Sequence, residues 1–252
     1  MPVYPLGPVN MVGQSMTLPV KAQGMFEGGM KMQSQGMDGR KNPAGFSFSN
    51  SVTYVNSGNG QFVGTTFVFT ATSTQEGDWM VVAADGVNAT SVTGGSGVSW
   101  TKLTLTNVGA YVTTVFYRRL EAGDAGATFT INGGTSTGPA EWAAYRGVAS
   151  VGAPQTQVSL ASASDLTFSA VSPANKSGRL LAIVSEHGTA GAGSWTAPSG
   201  WNTRVSWNAY GPKYLGDILS QTYANQGGPI VFQTSVTQAA GQVGWLFELV
   251  GT

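Results

Sequence analysis

The chain has 252 residues, only 10% of them charged, and its twelve acidic side chains balance twelve basic ones to a formal net charge of zero. A balanced chain has no bulk attraction to nucleic acid or to an anionic membrane, and the absence of cysteine excludes disulfides and thiolate metal sites. Glycine, at 36 residues, is about twice as frequent as usual, which favours short strands joined by many turns.

Residues 1–48 differ from everything after them. Seven of the eight methionines lie here, at Met1, Met11, Met16, Met25, Met30, Met32 and Met37. No apolar period of 2 or 3.6 is sustained, so no helix or sheet is predicted. Lys21, Lys31, Arg40 and Lys41 outnumber Glu27 and Asp38. Methionine is flexible and polarizable and fills irregular grooves. The segment reads as an extended arm that docks into a partner through Met11, Met16, Met25, Phe26, Met30, Met32 and Met37. Its start lacks the basic head and apolar stretch of a signal peptide, and no run in the chain approaches the roughly 18 apolar residues of a membrane span. Synthesis in the cytoplasm with no membrane insertion is therefore expected.

Residues 49–152 read as a series of short strands. Ser47–Val55 leads, and Ser57-Gly58-Asn59-Gly60 carries a turn signal. Thr66–Thr70 alternates. Trp79–Ala84 is apolar on both faces, as a central, doubly buried strand would be. Val98–Leu105, Tyr111–Leu120, Ala127–Ile131 and Trp142–Tyr145 follow. Residues 153–252 repeat the scheme after a short linker at Pro154 and Leu160–Ser164, with strands predicted at Leu166–Ala170, Leu180–Ser185, Trp201–Trp207, Leu215–Tyr223, Ile230–Val236 and Val243–Val250.

The two halves share their spacing. Gly77 to Trp100 and Gly178 to Trp201 both span 23 positions, Phe129 to Trp142 and Phe232 to Trp245 both span 13, and Phe67 to Gly77 and Phe168 to Gly178 both span 10. The offset between copies drifts only from 101 to 103. This is an internal duplication with a period of roughly 100 residues, longer than ordinary solenoid repeats. The predicted fold is all-β: two tandem, similar β-sandwich domains (jelly-roll or Ig-like), 49–152 and 153–252, preceded by the extended arm 1–48.

Catalytic groups are sparse. His187 is the only histidine, and on a strand its neighbour Glu186 would face the other way, so no Ser–His–Asp arrangement is predicted. The carboxylates carry no calcium-loop spacing, and no metal or other cofactor is expected. Asp78, Asp85, Glu121, Asp124 and Glu141 could meet in space, although nothing in their spacing requires it. Of the Arg118-Arg119 pair on one strand, one should point inward and pair or stack. Trp100, Trp142, Trp201 and Trp245 recur in register and are assigned to the two cores. Trp195, Trp207, Tyr210 and Tyr214 have no counterpart in the other copy and are the candidate ligand-contact aromatics.

Gly77-Asp78-Trp79-Met80-Val81, Tyr117-Arg118-Arg119, Ala122-Gly123 and Ala144-Tyr145-Arg146-Gly147-Val148, with Pro198-Ser199-Gly200-Trp201 in the second copy, resemble a tandem β-sandwich module of bacteriophage structural proteins and some bacterial surface proteins. The resemblance spans about residues 60–252. It departs at Val98-Ser99-Trp100, where Pro-x-Gly-Trp is the pattern, and at Gly178-Arg179, where Gly-Asp is. It implies a non-enzymatic virion protein, a capsid decoration or tail-associated component located in the particle. The partners so implied are other capsid or tail subunits, in a homo-oligomer such as a trimer or symmetric ring. The alternative is a tail-fibre adhesin that binds host surface glycan, and the least favoured is a polysaccharide-degrading enzyme.

Overall fold

The computed structural model describes residues 51–252 except 87, 107–110, 134–137, 160–162, 188–192, 209–210 and 236–240. The arm 1–48, with Met11, Met16, Met25, Phe26, Met30, Met32 and Met37, lies outside the described residues, as does Tyr210. The described part is all-β apart from one short helix.

In the first half, β1 (Thr53–Gln61), β8 (Pro139–Arg146), β3 (Trp79–Ala84), β6 (Val112–Arg119) and β5 (Thr101–Thr106) form a five-stranded antiparallel sheet in that order. A second sheet orders β2 (Thr66–Thr70), β7 (Thr128–Gly133) and β4 (Ala89–Gly94). First pairs with eighth, second with seventh and third with sixth. This nesting is the connectivity of a jelly roll.

The second half repeats it strand for strand. One sheet runs β10 (Gln155–Ser159), β17 (Gln242–Gly251), β12 (Arg179–Glu186), β15 (Lys213–Leu219), β14 (Asn202–Trp207), and the other runs β11 (Asp165–Phe168), β16 (Ile230–Thr234), β13 (Trp195–Thr196). A short extra strand, β9 (Val148–Val151), links the halves and pairs with the end of β17.

Each three-stranded sheet packs on one face of its own five-stranded sheet. In the first half Phe67, Phe69, Phe129 and Ile131 meet Met80, Val82, Phe116 and Trp142. In the second, Leu166, Phe168, Ile230 and Phe232 meet Leu180, Ala182, Val184 and Tyr214. A third core lies between the two five-stranded sheets, where Trp79, Val81, Val115 and Tyr145 pack against Leu181, Ile183, Leu215, Trp245 and Phe247. The described part is thus four layers deep, with the larger sheets inside. The double apolarity of Trp79–Ala84 has its cause here: one face fills the first half's core and the other fills the junction.

The structure adds β4, β9 and β13, which the sequence reading did not predict, and departs from that reading at other places. Ser57–Gly60 lies inside β1 rather than in a turn, with Gly58 and Gly60 paired to Trp142 and Ala140. A Cβ at Gly58 would come 2.8 Å from Trp142 Nε1, and one at Gly60 would come 2.4 Å from Phe67 Cε2. Glycine serves close approach there, as it does in strand interiors generally. The predicted linker contains β10, which pairs with β17. The predicted strand Leu215–Tyr223 ends at Leu219 and passes into helix α1 (Ser220–Gln226), which buries only Ser220 and Tyr223 and stops at Gly227, φ 65°.

The Gly77-Asp78 and Tyr145-Arg146 motifs meet. Arg146 donates from Nε and Nη2 to the two oxygens of Asp78, both at 2.9 Å, and Gln75 N donates to Asp78 Oδ2 at 2.9 Å. The Arg146 side chain is 42% exposed, so water screens the pair. Arg146→Ala is expected to cost about 0.5–1 kcal/mol in urea unfolding. A loss several times larger would mean that the fork fixes the β3–β8 register.

Candidate functional site

Side chains on a strand alternate between faces, so each central strand sends every second residue into the junction. β3 contributes Trp79, Val81, Ala83 and then, one step past its end, Asp85. β8 contributes Glu141, Ala143 and Tyr145; β15 contributes Lys213, Leu215 and Asp217. The middle of the junction is apolar and aromatic: Trp79 lies 5.9 Å from Phe247, and Tyr117 lies 5.6 Å from the same ring. Charged groups close it at both ends.

At one end the buried Asp217 carboxylate gathers donors from both halves. Arg204 Nε donates to Oδ2 at 2.5 Å and its Nη2 to Oδ1 at 3.2 Å; Arg179 Nη1 donates to Oδ1; Tyr145 Oη, from the other half, donates to Oδ2 at 3.0 Å. Arg179 Nε also donates to Val52 O at 2.7 Å, and the Arg204 guanidinium sits 4.0 Å from the Tyr54 ring centroid. Burial, followed by the neighbouring Asp217 charge, pushes the Tyr145 phenol well above its ordinary value, so it stays a donor.

At the other end Lys213 Nζ lies 2.5 Å from Asp85 Oδ2 and also donates to Glu186 O. Thr113 Oγ1 donates to Asp85 Oδ1. His187 Nδ1 is 3.8 Å from Asp85 Oδ2, and its ring stacks on Tyr111 with centroids 3.6 Å apart. Glu141 pairs with Ala83 across β8–β3, diagonal to Asp85 on the same face. Burial alone would raise the Asp85 carboxyl, but the Lys213 ammonium against it, with His187 and Ser185 close by, outweighs this and holds Asp85 below the carboxylate range. Burial pushes Glu141 up to about 8; Lys213 offsets this only in part, and Asp85 adds to it. Its Oε2 has no hydrogen-bond partner among the described residues. Two carboxyl groups side by side, one ionised and one kept as the acid, with an ammonium against the first, form an arrangement suited to moving protons.

Of the five carboxylates that could have met, only Asp85 and Glu141 share a site. Asp78 is held by Arg146, and Asp124 takes 2.7 Å bonds from Ser96 N and Glu121 N and 2.6 Å from Arg118 Nη2. Arg118 is the inward arginine, lying 4.8 Å from the Trp100 ring and 5.6 Å from Phe129. Glu186 and His187 fall on opposite faces at the end of β12, so Glu186 does not orient the imidazole.

The unmatched aromatics separate. Trp195 is 6% exposed and Tyr214 is 1% exposed; both pack in the second half's core, and Trp195 Nε1 donates to Pro212 O at 2.8 Å. Neither offers a ring face to a ligand, which corrects their assignment as ligand contacts. Trp207 is half-buried against the junction core. Trp100, Trp142 and Trp201 pack in or against the cores of their own halves, but Trp245 lies in the junction.

Asp85, Lys213 and Asp217 were not singled out together by the sequence. Their signal is an alternation, Lys213-x-Leu215-x-Asp217, with charges flanking an apolar centre on one strand face. Among the described residues, no group of three or more His, Asp or Glu side chains converges to hold a metal ion, and no helix is long and apolar enough to cross a membrane.

The fold and the site define an all-β protein of two sandwich-like halves joined by a buried, ion-paired junction. Comparison of the chain with known proteins finds no matching family model, no matching curated protein and no matching solved structure.

Proposed function

We propose that this chain is a non-enzymatic structural protein of a bacteriophage particle, a capsid decoration or tail-associated component. Its Met-rich N-terminal segment would insert into neighbouring subunits, and its paired sandwiches would stand outward. The observation that carries the reading is the fusion of the two halves through a junction with a buried apolar centre. Such a block suits a load-bearing outer part, and its ionisable groups are spent on holding it together. The charge-poor composition fits a chain surrounded by other subunits, which needs less charge for solubility. The segmental resemblance of Gly77–Val81 and Ala144–Val148 to phage modules gives the context, and fold alone would not.

Several copies per particle would bind with avidity, each arm adding a strand or filling a groove in its neighbour. The test is deletion of residues 1–45. Circular dichroism of the truncated chain should retain its β signal and cooperative melt, while co-sedimentation with particles should be lost. Truncated chain that still joins particles at wild-type occupancy would sink the proposal.

A further inference from the structure

We propose that Lys213 and Asp85 join in a side-chain amide that ties the two halves of the molecule covalently, with Glu141 as the proton carrier. The argument starts from position. Lys213 Nζ is held 2.5 Å from Asp85 Oδ2, and both side chains are more than nine-tenths buried. Condensation of an amine with a carboxyl group fails in water because both groups are charged and solvated there. Burial removes that solvation; the Lys213 ammonium still holds Asp85 ionised, so the reaction would start from the minor neutral amine–acid form of the pair. Holding the reacting atoms together replaces a bimolecular encounter, which in well-oriented systems is equivalent to about 10⁵ M or more of reactant.

The surrounding groups match the steps. Thr113 Oγ1 donates to Asp85 Oδ1, the oxygen that would carry charge as the carbon becomes tetrahedral. Lys213 faces Oδ2, the oxygen that would leave. Glu141 is buried diagonal to Asp85, has Oε2 without a hydrogen-bond partner among the described residues, and retains its proton near neutrality. Among the described residues, the charged and titratable groups on this face besides Glu141 are Asp85 from the end of β3, His187 beyond β12, Lys213 from β15 and Tyr111 just before β6. β6 and β17 offer only Thr113 and Val243.

The reaction balances without a cofactor or oxidant. The ammonium passes one proton to the carboxylate, giving a neutral amine beside a neutral acid. The Nζ lone pair attacks Asp85 Cγ and the C–N bond forms. Glu141 gives its proton to the departing oxygen as the C–O bond breaks, then takes one back from nitrogen and is regenerated. An ammonium and a carboxylate become one amide and one water.

The experiment is intact-mass spectrometry of the full chain, followed by proteolysis and peptide sequencing. The expected result is a mass below that of the sequence by one water, with a branched peptide joining Asp85 to Lys213. Lys213→Arg keeps the cation but supplies no nucleophilic amine, and should restore the full mass. Glu141→Gln should slow bond formation by at least about 100-fold, the usual contribution of a positioned acid–base group. A wild-type chain at full sequence mass overturns the proposal. So does a water loss that survives Lys213→Arg and maps to a linear peptide, since ring closure at Asp85-Gly86 would give the same mass. The wild-type measurement decides the matter even if a variant fails to fold.

Discussion

Asp217→Ala is expected to lower the free energy of unfolding by about 3–5 kcal/mol, the range for removing one partner from a buried ionic cluster. The loss goes beyond one contact. Arg179 and Arg204 would be left facing each other with side chains only 13% and 19% exposed, and Tyr145 would lose its acceptor at 3.0 Å. Because Tyr145 belongs to the first half and both arginines to the second, the damage falls on the junction. Chemical denaturation followed by tryptophan fluorescence measures it, since Trp79 and Trp245 report from that layer. A cost below about 1 kcal/mol would show that the cluster behaves like a screened surface pair.

The second large effect is a dependence on pH set by Glu141. Its folded-state value is raised to about 8 from an ordinary 4.5. The folded chain therefore keeps a proton that the unfolded chain releases, and the site's contribution is fully present below about pH 4.5 and lost as pH rises through about 8. At about 1.4 kcal/mol per unit the total loss is roughly 5 kcal/mol. Asp85 works in the opposite sense, its depressed value giving stability that is lost as pH falls through the acid range. The measurement compares two chains that both carry Lys213→Arg, so that no amide forms, one of them also carrying Glu141→Gln. Urea unfolding should show the Gln-bearing chain pulling ahead by several kcal/mol between about pH 5 and pH 9. Two parallel profiles would mean that water or a shift in structure relieves the buried acid.

Most of the strands were legible in the sequence because alternation and turn chemistry are local, whereas β4, β9, β10 and β13 were not predicted. Trp79–Ala84 and Ile230–Thr234 declare themselves from their own residues. The duplication was legible from its anchors, but its offsets hide a change of face. Val82 and Ile183 are matched by the 101-residue offset, yet the structure puts Val82 in the first half's core and Ile183 in the junction. Trp142 and Trp245, 103 apart, divide the same way. A one-residue slip between copies exchanges inside for outside along a strand, and no spacing of anchors reveals which face meets which partner.

The charged cluster was hidden for a related reason. Asp85 and Lys213 come from different halves, and each alone reads as a strand-end charge. Trp195 and Tyr214 misled in the other direction. Lack of a counterpart in the other copy suggested a ligand surface, whereas the second half uses them, with Tyr223 of α1, to fill its own core.

The sequence repeats about every hundred residues, but each five-stranded sheet has two oily faces and its own three-stranded lid covers only one. A lone copy would hold Trp79, Val81 and Tyr145 against water. The unit that was copied and the unit that can fold are therefore of different sizes, and two copies make the smallest piece that covers both faces of its larger sheets.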